Sequence, residues 1–129
     1  MKVTEEIRGF KSEGISAEGV AELRGAAREA RVWAVVATAA AKSGHPAGAL
    51  SSMDIYMTLL GAANVTPELA DSPERDRIVV SHGHTSAGFY AALAEYGFFP
   101  AHEMAANFRR AGSPYQGHVE RDVPGVDWG

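Results

Sequence analysis

The sequence predicts an α/β fold, mostly helical, with a parallel-sheet strand near residues 77–81 in a sheet that the chain leaves incomplete. Three observations carry this. Ile78-Val79-Val80 is the one short, continuous, β-branched run between charged and turn-forming residues, which suits a strand covered on both faces. Four other stretches carry apolar residues at steps of three and four, the helical period. Finally, the chain from Ala111 onward is all turn signals, with no closing helix or strand. A lone strand leaves both edges unpaired, so the chain is expected to lie against more sheet, from a partner or a continuation.

Taken in order, residues 1–19 read as an N-terminal arm, a short helix and a loop spotted with Gly9, Gly14 and Gly19. Ser16 is placed to cap the next helix, with Glu18 in its first turn. From Val20 to Lys42 the stripe is Val20, Leu23, Ala27, Ala30, Ala34, Ala37 and Ala41, widened by Trp33, Val35 and Val36. Such a helix spans about 30 Å, and its alanines let another backbone come close. Gly44 is expected to take the left-handed cap.

A second helix is expected from about Leu50 to Ala62, with Met53, Tyr56, Met57 and Leu60 inward and Asp54 in its first turn. Ala47, Gly48 and Ala49 before it are small, which again predicts close packing. Thr66-Pro67-Glu68 reads as a single helical turn. After the strand comes a turn, Ser81-His82-Gly83-His84, and a third helix over Thr85–Tyr96 that stops at Gly97. A fourth covers Ala101–Arg110, with Met104, Ala105 and Phe108 inward and Arg109 and Arg110 in its last turn.

The composition narrows the function. Net charge is −4 over 129 residues, which argues against a general nucleic-acid surface. The chain has no cysteine, so it has no disulfide, thiolate metal site or catalytic thiol, and a reducing cytoplasm fits. The start Met1-Lys2-Val3-Thr4-Glu5-Glu6 does not read as a secretory signal, and it suits a genuine N-terminus. The most apolar run, Val32–Ala41, is too short to span a bilayer. Ligands of α/β sheets bind where strands end and helices begin, so the histidine turn at 82–84 is the candidate site. A solvated polar turn is the alternative.

Three motifs then come in one order: Ser43-Gly44-His45-Pro46, Arg75 through His84, and Gly117-His118-Val119-Glu120. Together, and with the long helix ahead of His45, they resemble the transketolases over residues 23–129. The resemblance implies the N-terminal part of a thiamine-diphosphate-binding domain over 20–129, lacking the family's Gly-Asp-Gly segment. It implies transfer of a two-carbon ketol unit between sugar phosphates, or another ketol substrate, using thiamine diphosphate. It makes His45, His84 and His118 the catalytic and cofactor-binding residues, shuttling protons and contacting diphosphate and substrate hydroxyls. The divalent metal, Mg²⁺ or Ca²⁺, would find its ligands outside this chain. Asp54, Asp71, Asp76 and Asp127 lack the metal motif's context and are assigned to no metal.

The chain departs from the family pattern at two positions. His82 stands where asparagine or lysine is usual, and Val119 replaces a proline after His118. No basic residue is identifiable as a phosphate ligand, and Arg109, Arg110 and Arg121 read as solvated or helix-capping. The chain is thus expected to act only with a complementary subunit or a continuation. Two readings from other classes stay open: a non-catalytic interaction subunit completing a partner's sheet and dimer, and a metal site on His82 and His84, which on a strand would point the same way.

Overall fold

The computed structural model describes residues 1–127; the turn signal at Trp128-Gly129 lies outside them. Five α-helices organise them: α1 (Val3–Ile7), α2 (Ala17–Ala41), α3 (Pro46–Ala62), α4 (Ser86–Glu95) and α5 (Ala101–Asn107). Single 3₁₀ turns lie at Arg8–Phe10, Pro67–Leu69 and Gly83–Thr85.

The long α2 packs against α3, α4 and α5. Ser16 caps it as expected, its hydroxyl accepting from the Gly19 amide at 3.0 Å. Ala27, Ala30, Ala34 and Ala37 are buried, and these short side chains let three helices crowd onto one. Val20, Val35 and Val36, which the apolar stripe was expected to include, are instead exposed. At the far end Lys42, not Gly44, takes the left-handed conformation (φ 52°). Its amide and that of Ser43 reach back to Ala39 and Thr38 at 3.1 Å.

Helix α3 starts four residues earlier than its apolar stripe suggested, with Pro46 in its first turn, where a missing N–H costs nothing. Asp54 therefore falls inside the helix, where it pairs with Arg31 of α2 at 3.0 Å. The small residues do permit close packing: a Cβ on Gly88 would lie 2.8 Å from Ala49 Cα, so α3 and α4 meet backbone to backbone. Helix α4 is buried on nearly all sides, as befits the middle of a layered helical core. Helix α5 ends at Asn107, so Arg109 and Arg110 lie beyond its last turn. The arm is anchored: Val3 and Ile7 are buried, Glu22 accepts from the Lys2 and Val3 amides at 2.9 and 2.7 Å, and Arg8 donates to the Leu60 and Val65 carbonyls at 2.8 and 3.0 Å.

The expected strand at 77–81 does not form among the described residues; Val79 is a single bridge residue. Nor is the run covered on both faces. Ile78 and Val80 are buried at 5% and 3% exposure, whereas Val79 is 63% exposed. Alternate side chains of an extended segment point to opposite faces, and only one face meets the helices. A carboxylate takes up the backbone donor: Asp127 accepts from the Ile78 amide at 2.9 Å and pairs with Arg75 at 2.7 Å and Arg77 at 3.3 Å.

Candidate functional site

Three connections deliver the site. His45 sits between α2 and α3 as the residue capping α3, with no side-chain cap bond, so its imidazole is left for other partners. Gly44 makes that turn possible. Its φ is +132°, and a Cβ would lie 2.7 Å from Thr38 Cγ2 and 3.1 Å from a ring carbon of Phe108. His84 lies in the 3₁₀ turn that opens α4. His118 lies in the loop after α5.

These histidines, far apart in sequence, meet. His84 Nε2 is 3.1 Å from His118 Nε2, with ring centroids 4.1 Å apart. His45 packs edge-on to His84 at 4.6 Å. They line an open cleft of about 310 Å³ with Arg109, Gln116, Gly117 and Glu120. A larger apolar groove, about 590 Å³, runs between the arm and α3 past Ile7, Phe10, Ile55 and Leu59, but contains no histidine.

The loop carrying His118 is tied down from beneath. The buried Tyr90 hydroxyl donates to the His118 carbonyl at 2.8 Å and accepts from the Glu120 amide at 2.8 Å. Burial also pushes the Tyr90 phenol well above its ordinary range, so it stays a donor. The Val119 amide donates to the Gly83 carbonyl at 3.1 Å, joining the two histidine loops directly. A proline at this position has no N–H to give, so the valine supplies a tie the family's usual residue does not.

The chemistry follows from the distances. Two Nε2 atoms at 3.1 Å need one proton between them, so His84 and His118 cannot both be imidazolium while this bond holds. The charge on His118, partial loss of water, and the charges on His45 and Arg109 push the His84 pKa below its ordinary value. Near neutral pH His84 is therefore an uncharged donor and acceptor, the form suited to passing a proton.

His82 belongs elsewhere. Its Nε2 lies 3.0 Å from the Tyr56 hydroxyl and 3.2 Å from Ser52 Oγ, both on α3. Tyr56 also bonds Thr85 Oγ1, and Thr85 donates to the His82 carbonyl at 2.9 Å. His82 and His84 thus do not share a face, because the segment is a 3₁₀ turn rather than a strand. The two-histidine metal reading loses its geometric basis. Among the described residues no cluster of three or more His, Cys, Asp or Glu is arranged to hold a metal ion. Asp76 accepts from the Asn64 amide at 2.6 Å, and with Asp54 and Asp127 it serves the fold.

Arg109, read from the sequence as solvated or helix-capping, and Gln116, not singled out there, are also cleft residues. Their only local signal is the Gly-rich stretch around them, which is common to many loops.

Comparison with known proteins matches residues 23–129 to the family described as transketolase, thiamine diphosphate binding domain. The chain belongs to this transketolase family. It is 38% identical over 98 residues to the transketolase of Scheffersomyces stipitis, covering 75% of this chain and 14% of that protein. It is 37% identical over 98 residues to transketolase of Mus musculus, covering 74% and 15%. A 6-deoxy-6-sulfo-D-fructose transketolase subunit of Clostridium sp. (strain MSTE9) is 36% identical over 86 residues, covering 65% and 31%. The chain thus matches about a seventh of the length of the full transketolases. The matched region includes all three cleft histidines, and the arm lies outside it.

Thiamine diphosphate is the cofactor this domain family binds, and the residues present fit part of it. Three imidazoles, a guanidinium and the Gln116 amide offer N–H donors to phosphate and hydroxyl oxygens, with Glu120 the one carboxylate among them. Among the described residues no helix is long and apolar enough to cross a membrane.

Proposed function

We propose that this chain is part of a transketolase-like enzyme that transfers a two-carbon ketol unit between sugar phosphates. It would act with a complementary polypeptide or a continuation of the chain. The observation that carries the reading is the meeting of His45, His84 and His118 in one cleft, given the family match.

In this reading His45 and His84 hold phosphate and carbonyl oxygens, and His118 meets the substrate hydroxyl nearest the reacting carbon. The His84–His118 bond lets a proton taken at one imidazole be passed to the other. Tyr90 and Val119 fix His118 at that distance, so the pair is preorganised rather than assembled on binding. Bound thiamine diphosphate would supply the electron sink that lets a carbon–carbon bond beside a carbonyl break. The divalent metal would be held by residues other than those described. The need for further protein is supported by Val79, an apolar residue of an extended segment that faces outward at 63% exposure.

The test is reconstitution. The chain is mixed with the polypeptide carrying the Gly-Asp-Gly segment, thiamine diphosphate and a divalent metal, and ketol transfer is assayed. His84→Ala and His118→Ala should each lower kcat/KM by about 10²–10⁴-fold. An assembled enzyme that keeps full rate with both changes refutes the site. A complex whose cofactor affinity is also unmoved makes the chain a non-catalytic subunit.

A further inference from the structure

The cleft contains one permanent cation, and the histidines alone do not account for it. Arg109 lies two residues past the end of α5, with left-handed backbone (φ 58°). That conformation is unusual for a side-chain-bearing residue and needs outside support. The support is its own amide, which donates to the Tyr115 carbonyl at 2.8 Å. The guanidinium then lies directly over Gly117: a Cβ there would come 2.9 Å from both Cζ and Nη1. A glycine beside His118 thus leaves the space into which the Arg109 head is laid, at the wall of the histidine cleft.

That head is uncommitted. Among the described residues no hydrogen bond or ion pair uses the Arg109 guanidinium, and Glu120, which also lines the cleft, does not pair with it. Elsewhere Arg8 and Arg75 spend their donors on carbonyls or Asp127. A planar fork of donors, held by a strained backbone beside three imidazoles and left without an acceptor, matches an oxyanion.

We propose that Arg109 is a phosphate-binding residue of this cleft, its guanidinium taking phosphoryl oxygens of the ligand that His45, His84 and His118 share. The inference rests on the functional reading above and deepens it. The phosphate has two possible sources, the cofactor's diphosphate and a phosphorylated substrate.

The experiment uses the full chain and follows its histidine imidazole resonances by NMR at pH 7 while inorganic pyrophosphate, and separately inorganic orthophosphate, is added. In the unaltered chain either anion should shift His84 and His118. Arg109→Gln should weaken that response about tenfold or more, the loss expected for a charged hydrogen bond, while Arg109→Lys keeps part of it. Gly117→Ala, which displaces the head without removing it, should weaken binding too. Pyrophosphate bound at least tenfold tighter than orthophosphate assigns the residue to the diphosphate; equal affinities assign it to a monophosphate. Unchanged affinity in Arg109→Gln overturns the role of Arg109 and leaves the histidine cleft standing. No response in the unaltered chain overturns both. Backbone resonances of α4 report whether each variant keeps its fold.

Discussion

His82 and His84 stand on either side of one glycine, and their surroundings differ in kind. His82 is satisfied: two hydroxyls of α3 meet its ring, and Thr85 closes the network on its carbonyl. Among the described residues the ring of His84 is partnered by other imidazoles, one bonded at 3.1 Å and one packed edge-on, with an unpaired guanidinium in the same cleft. A polar group that already has its partners gains little from a ligand. One surrounded by groups competing for protons is poised for one. Two histidines of one motif can thus be sorted into structure and site by what each ring lacks.

The largest effect that sharpens this contrast is on rate. In the reconstituted enzyme His82→Gln should leave kcat/KM within a few-fold, set against the hundredfold or greater loss for His84→Ala. Equal losses would erase the distinction.

The supports of the two histidines should differ in stability. Tyr90→Phe strips the buried hydroxyl that serves both the His118 carbonyl and the Glu120 amide. We expect a cost of about 2–3 kcal/mol in urea unfolding, since two backbone groups lose their partner. Tyr56→Phe removes the hydroxyl that meets the exposed His82 ring and Thr85, and about 1 kcal/mol is expected. A smaller cost for Tyr90→Phe would mean that its loop is held by something else.

The smallest effect is on protonation. The His84 pKa is lowered, chiefly by His118. The unfolded chain therefore binds a proton that the folded chain resists. This contribution to stability is present above the ordinary histidine value. It is lost as pH falls through that value, and the loss levels off below the folded pKa. Imidazole titration by NMR should show His84 below the ordinary range, and His118→Asn should bring it back up. A His84 that titrates as a free imidazole in the unaltered chain would contradict the pairing.

Much of the molecule was legible in the sequence, and the misses share a cause. Alanine spacing and Ser16 gave α2, and three short motifs singled out His45, His84 and His118, which the fold brings together, because each is a local pattern. The strand was read from Ile78-Val79-Val80 as if both faces were covered. Propensity does not say which neighbours are present, and Val79 faces outward. Pro46 opens α3 four residues before its apolar stripe, because a first turn need not carry core residues. Tyr90 carries no signal that sets it apart within its helix, and Arg109 reads as a solvated or capping residue. Their roles come from the loop at 115–120 folding back over them, a contact that no local pattern encodes.

The central claim is that the three cleft imidazoles hold one ligand together. Calorimetric titration of thiamine diphosphate into the assembled protein tests it most directly. Each of His45→Ala, His84→Ala and His118→Ala should weaken binding about tenfold or more, with His82→Gln bound as tightly as the unaltered protein. Cofactor affinity that stays the same when all three are removed would contradict the claim and leave the cleft without a ligand.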